Sequence, residues 1–102
     1  MNIITRKRLR LYSAAHPDAR RPLLAWSRIT RAARWDNIES LRRTFPTADR
    51  VVAKSNKVVT VFNIRGNNYR LITAIHYNRK RVFILRFLSH AEYDKGGWKE
   101  TL

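Results

Sequence analysis

Between residues 49 and 89 four short apolar runs follow one another: RVVAKS, KVVTVFNI, YRLITAIHY and RVFILRFL. Each is rich in β-branched and aromatic residues, which pack well on a pleated surface and lose rotamer freedom in a helix, so each reads as a strand. Between them lies turn material: SN at 55–56, RGNN at 65–68 and NR at 78–79. Asn, Gly and Ser tolerate the tight backbone angles of such turns. Connections this short join antiparallel neighbours, since a parallel pair needs a long crossover. The second half of the chain is thus predicted to be an antiparallel meander of four strands.

The first half has a different period. Thr5 can cap a helix that runs to about Ala15, and HPD at 16–18 breaks it. Asp18 is placed to cap a second helix to about Trp35, with Pro22 near the first turn, where a missing N–H costs least. At 100° per residue, Leu23, Trp26, Ile29, Thr30 and Ala33 share one arc, and Arg20, Arg21, Arg28, Arg31 and Arg34 share most of the other. Asp36 and Glu39 have capping-box spacing for a short third helix, with Ile38, Leu41 and Phe45 inward and Pro46 as the stop. The tail, HAEYDKGGWKETL, holds one helical turn before Gly96 and Gly97. Helices followed by a meander define an α+β fold. At 102 residues the chain is expected to form one domain, 1–102.

Charge narrows the function. Twenty-two Lys and Arg against seven Asp and Glu give a net +15, a field that attracts polyanions. Nucleic acid or the ribosome is the first expectation. A membrane surface fits less well, because the basic residues are spread along the chain instead of flanking one apolar anchor. The absence of cysteine excludes thiol catalysis, disulfides and cysteine zinc sites. No apolar run reaches the length of a membrane span, and MNIITRKRLR lacks the apolar stretch of a signal peptide. A cytoplasmic location is expected.

The strand pattern sorts the polar residues. A hairpin at 65–68 sets Ile64 against Tyr69 and Asn63 against Arg70. A tight turn at Asn78–Arg79 sets His76 against Arg81 and Arg70 against Phe87, and Lys57 then lies opposite His76. One sheet face is expected to carry Asn63 and Arg70 at one end, and Lys57, His76 and Arg81 at the other. Between them lie Val59, Val61, Ile72, Ala74, Phe83 and Leu85. Arg86 faces away from Arg70 in this register.

Arg70 is the informative residue. A mid-strand arginine in an apolar run must find an anion or water. One solution is a structural ion pair with Glu39, Asp49, Glu92 or Asp94; the other is a phosphate, which the guanidinium fork suits. His90 and Tyr93 lie three apart, on one face of a helical turn. They can transfer protons and stack on a base, or serve merely as a surface histidine beside a core tyrosine. Asp94 is placed to cap that turn or to orient His90. His16, in a turn, and His76, at a strand end, read as structural. Scattered histidines give no metal-binding spacing, and no nucleotide-cradling or hydrolase motif is present. Arg, Lys, His and Tyr suffice for cleavage of RNA by its own 2′-OH, with neither metal nor cofactor.

VFNIRGNNYRLITAIHYNRKRVFILRFLSHAEYDKGGWKE resembles the C-terminal half of HigB-family toxins of the RelE-like ribonuclease superfamily. MNIITRKRLR, HPDARRPLLAW and TFPTAD resemble the N-terminal half. The resemblance implies N-terminal helices packed on a small antiparallel sheet. It implies a type II toxin that cleaves mRNA, typically in the ribosomal A site. The implied partner is a HigA-type helix-turn-helix antitoxin, and operator DNA is reached only through that antitoxin. By similarity, Arg70 in YRLI matches the phosphate-contacting catalytic arginine, Tyr93 in HAEY meets the cleaved nucleotide, and His90 is the acid/base candidate. Lys57, Asn63, Arg65, Arg81 and Arg86 are the RNA-binding candidates. Arg65 stands where many relatives carry glycine, and only Lys57 and Lys54 loosely match the strand lysines of other branches. The competing reading is a basic RNA- or ribosome-binding module that does not cleave. A DNA-binding regulator is disfavoured because no helix-turn-helix pair is evident.

Overall fold

The computed structural model describes all residues, Met1–Leu102. In chain order it contains β1 (Asn2–Ile4), α1 (Arg6–Ala15), a 3₁₀ turn (Pro17–Ala19), α2 (Arg20–Ala32) and α3 (Ile38–Thr44). Then come β2 (Asp49–Val52), β3 (Val58–Ile64), β4 (Tyr69–His76), β5 (Arg81–Ser89), α4 (His90–Lys95) and a second 3₁₀ turn (Gly97–Glu100). The fold is α+β, as the change of period foretells. No helix is long and apolar enough to cross a membrane.

The sheet has five strands in the order β1-β5-β4-β3-β2. The four expected strands form the antiparallel meander. The fifth corrects the expectation of a purely antiparallel sheet: β1 lies parallel to β5, with Asn2 against Arg81 and Ile4 against Phe83. Three residues are too few to show a period, yet Ile3 is buried and joins the core.

The helices need three corrections. Asp18 does not cap α2; it sits in the 3₁₀ turn, and Ala19 precedes the helix. Its carboxylate instead accepts the Tyr69 hydroxyl at 2.8 Å and pairs with Arg65 at 3.4 Å. Second, α2 ends at Ala32, not near Trp35, because Ala33 turns to extended backbone. The Trp35 ring then packs against Phe45 and Phe62. Third, the capping box of α3 is Asn37 with Ser40, one residue after the predicted pair. Asp36 pairs with Lys80 instead. On α2, Leu23, Trp26 and Thr30 are buried as predicted, but Ile29 is 43% exposed and Ser27 takes its place inside.

The main core lies between α1–α3 and one sheet face, where Leu23, Trp26, Leu41, Phe62, Leu71 and Val82 are buried. Each such side chain contributes roughly 1.5–3 kcal/mol through removal from water. On the other face Val59, Val61, Ile72 and Trp98 form a smaller cluster under the C-terminal segment, with Leu85, Leu88 and Tyr93 packed on it. Sheet parity thus gives Leu71 to the large core and Arg70 to the face of the small one.

The registers Ile64–Tyr69, Asn63–Arg70 and His76–Arg81 are as predicted. A bulge between Ile72 and Thr73 then shifts the β4–β5 ladder, so Arg70 opposes Leu88, not Phe87. An extra residue on one strand flips the parity of all that follows. Phe87 therefore joins the helix-side core, where its ring stacks on Tyr12 and Tyr69.

Candidate active site

β4 delivers Arg70 to the sheet face covered by α4, and the residue is only 8% exposed. None of the four acids considered for it is its partner. Asp49 pairs with Arg42 at 3.7 Å, Asp94 with His90 at 3.0 Å, Glu92 caps α4, and Glu39 forms no ion pair. The guanidinium is held entirely by neutral acceptors. Nη1 donates to the carbonyls of Asn67 and Tyr69, both at 3.1 Å. Nη2 donates to Asn67 Oδ1 at 2.7 Å and to His90 Nδ1 at 3.0 Å. A largely buried cation without a counter-ion is costly unless something supplies the anion.

His90 opens α4, and its backbone N–H donates to the Asn68 carbonyl at 2.9 Å, tying the helix to the β3–β4 turn. Arginine has no acceptor, so Nδ1 must accept from it. The neutral ring then carries its proton on Nε2 and donates it to Asp94 Oδ2. Of the two roles open to Asp94, it takes the orienting one. The cap falls to Ser89, whose hydroxyl accepts the Glu92 N–H at 3.2 Å while Glu92 accepts the Ser89 N–H at 3.0 Å. Gly96, with φ 74°, ends the helix in the left-handed conformation that favours glycine.

One turn after His90, the Tyr93 ring lies 5.6 Å from the Arg70 guanidinium carbon. Trp98 stacks behind it at 5.2 Å and donates its indole N–H to the Tyr93 carbonyl. Burial raises the phenol pKa, Asp49 raises it further, and Arg70 opposes both. Tyr93 therefore stays protonated at neutral pH and presents both a hydroxyl donor and a ring.

Arg70 and Tyr93 line a cleft of about 510 Å³ with Asn63, Arg42 and Asp49. His90 does not line it and stands behind Arg70. The other candidates scatter. Lys57 precedes β3 in the β2–β3 turn, where its carbonyl accepts the Ala53 N–H. Arg81 pairs with His76 at the far end of the sheet. Lys57 is six residues before Asn63, and Arg81 is seven residues before Leu88, the partner of Arg70, so each lies roughly 20 Å from the Asn63–Arg70 pair at 3.3 Å per residue. Arg65 adopts φ 53° in the β3–β4 turn and is engaged by Asp18. The bulge sets Arg86 opposite Ile72, on Arg70's parity rather than facing away as the regular register had it. Its guanidinium nonetheless donates to the Leu85 carbonyl, and its charge acts on Tyr12 of α1. His16 packs edge-on to Tyr69 and Phe87, and His76 tilts against Phe83.

Two residues of the site escaped the sequence reading. Asn67 supplies two of Arg70's four acceptors, and its position three residues earlier in a turn was the available signal. Arg42 also lines the cleft, fixed by its Nε bond to the Ala48 carbonyl at 3.0 Å. Its place in the last turn of a short basic helix gave little away.

The cap of α4 sets a testable expectation. The Glu92 carboxyl is held below its ordinary value of 4.5, first by the Ser89 N–H and then by the Ser89 hydroxyl. A depressed carboxyl stabilises the fold above its unfolded pKa, and that contribution is lost as pH falls through the folded pKa. Ser89→Ala is expected to cost about 1 kcal/mol in urea denaturation at pH 7. The gap from wild type should narrow as pH falls below 4.5. An equal gap at pH 7 and at acid pH would show that the Ser89 hydroxyl does not act on the Glu92 carboxylate, and no gap at either pH would show that the cap does not hold α4.

Residues 19–96 match the HigB toxin family, described as the RelE-like toxic component of a toxin-antitoxin system. Among characterised relatives, mRNA interferase HigB of Escherichia coli O6:H1 is 30% identical over 95 residues, 93% of this chain and 90% of that protein. The mRNA interferase toxin HigB of Escherichia coli K12 is 27% identical over 94 residues, 92% of this chain and 88% of the relative. The mRNA interferase HigB of Shigella flexneri aligns over the same shares at the same identity.

Proposed function

Because this chain belongs to the HigB family of RelE-like toxins, we infer that it is the toxin of a toxin–antitoxin pair and acts as an endoribonuclease, an mRNA interferase. The observation that carries the assignment of the site is Arg70: a largely buried guanidinium with no carboxylate partner, at the wall of an open cleft.

In this reading the scissile phosphate enters the cleft and supplies the missing anion. Arg70 turns its fork to two phosphate oxygens, leaving His90 Nδ1 free to accept a proton. The 2′-OH gives its proton to that nitrogen and its oxygen attacks phosphorus. Arg70 stabilises the charge that builds on the pentacoordinate phosphorus. The P–O5′ bond breaks and the leaving oxygen takes a proton from a water molecule, giving a 2′,3′-cyclic phosphate and a 5′-OH. Tyr93 stacks on the adjacent base or donates its hydroxyl to the phosphate. Asn63 and Arg42 contact the backbone of the bound strand. We place the substrate in the ribosomal A site in the cytoplasm, since the +15 charge suits an RNA-rich surface. We take the partner to be a HigA-type antitoxin, through which the pair would reach operator DNA.

Primer extension on a reporter mRNA after brief induction tests the activity. New ends inside translated frames are expected. Purified protein added to ribosomes programmed with an mRNA should leave fragments with 2′,3′-cyclic phosphate and 5′-OH termini. Fragments ending in 3′-OH would overturn 2′-OH attack while keeping the nuclease. No new ends at all would leave a basic RNA-binding module.

A further inference from the structure

On the sheet face opposite the Arg70 cleft, α1 and α2 enclose a groove of about 730 Å³. Its floor is apolar: Leu9 and Leu23 belong to the main core, and Leu24 on the lip is 45% exposed. Its rim is cationic. Arg6 and Arg10 stand one turn apart on α1, and Arg20 and Arg31 stand at the two ends of the α2 wall. No acidic side chain lines the groove, and none of these four arginines takes part in an ion pair.

An apolar trough between four unpaired cations calls for an occupant that is apolar on one face and acidic on its flanks. Arg20 to Arg31 spans eleven residues, about 16 Å at 1.5 Å per residue, or three helical turns. RNA fits less well. The groove contains no aromatic side chain on which a base could stack, and a phosphodiester backbone gains nothing from a leucine floor. We propose that this groove docks an acidic amphipathic helix of the antitoxin, about three turns long. Apolar residues at i, i+3/i+4 and i+7 fill the floor, and Asp or Glu on the flanks meet the arginines. The inference rests on the reading of this chain as a toxin. It places an anchor for the partner on the face away from the cleft, so docking here holds the antitoxin without occupying the RNA site.

The experiment measures the affinity of the full chain for its purified cognate antitoxin by calorimetry, and for a fluorescein-labelled single-stranded RNA 12-mer by anisotropy. The variants are Leu24→Asp and the double variant Arg10→Glu with Arg20→Glu, each checked for folding by circular dichroism. These side chains are exposed or on the rim, and Leu24→Asp keeps the test alive if the double variant does not fold. The double variant is expected to lose about a hundredfold in antitoxin affinity, since like charges now face each other across the groove. Leu24→Asp should lose about tenfold or more, by putting a carboxylate among acids and under an apolar face. RNA affinity should fall far less. Unchanged antitoxin affinity in both variants would overturn the proposal, as would a loss confined to RNA, which would make the groove a nucleic-acid surface. If the wild-type chain itself failed to bind the antitoxin, the partner reading would fall with it.

Discussion

Arg70→Ala is expected to lower RNA cleavage by about 10²–10³-fold, the effect of removing one preorganised donor from a developing oxyanion. The protein should stay folded. Because Arg70 has no carboxylate partner, its loss strands no buried anion. It leaves the Asn67 carbonyl and amide oxygens and His90 Nδ1 without a donor at the wall of an open cleft. Water can reach these groups, and a cost of about 1–2 kcal/mol is small beside the total stability of a domain. Arg70→Lys sharpens the test. Lysine keeps the charge but not the planar fork that reaches Asn67 and His90 together. It should therefore recover only part of the lost rate and stay at least about tenfold below wild type. Single-turnover cleavage of a labelled mRNA on programmed ribosomes, with the melting temperature of each variant, separates chemistry from folding. A folded Arg70→Ala protein that cuts at the wild-type rate would remove Arg70 from the reaction. A lysine variant with full activity would show that charge alone matters and the fork does not.

Arg70 was legible in the sequence because its context is so apolar. A cation between Tyr69 and Leu71 in a central strand has to be explained, and few acids were available to explain it. The answer to that question, neutral acceptors and an open cleft, was not legible. Asn67, Asn68 and His90 come together only when the β3–β4 turn folds against the start of α4. The bulge at Ile72/Thr73 was hidden for a related reason. RVFILRFL is apolar at both parities, so a strand packed on two faces offers no alternation to fix its register. Phe87 and Arg86 were misplaced as a result. Lys57 and Arg81 show the other limit. Parity assigns a residue to a face of the sheet, but only position along the strand brings it to a site, and a displacement of six residues for Lys57 and seven for Arg81 puts both at the wrong end. The short β1 strand and the Asn37–Ser40 cap were lost through brevity, since neither spans enough residues to show a period. The helix faces were easier to read. A surface helix must put one side in the core, and Leu23, Trp26 and Thr30 obey that rule whatever the neighbouring topology.

His90 is where geometry and chemistry pull apart, and its substitutions discriminate between two roles. In the free protein both ring nitrogens are engaged, Nδ1 by Arg70 and Nε2 by Asp94, and the ring does not line the cleft. If His90 only positions Arg70, any acceptor at the same place should serve. If it takes the 2′-OH proton once phosphate has drawn the guanidinium away, no amide can replace it. His90→Ala is expected to lower cleavage by about 10²–10⁴-fold, the range for loss of a general base. His90→Asn keeps an acceptor in place of Nδ1 but cannot take up a proton, and it should remain within about tenfold of the alanine variant. The limb of the rate–pH profile that reflects deprotonation of the base should vanish in both. RNA affinity, measured with a 2′-deoxy substrate that cannot be cut, should fall much less than rate, because Arg70 still carries its charge. Recovery of near-wild-type rate by His90→Asn, with the pH profile intact, would reassign His90 as a positioning residue. The base would then have to be sought among the groups that do line the cleft, among them Asp49, which pairs with Arg42.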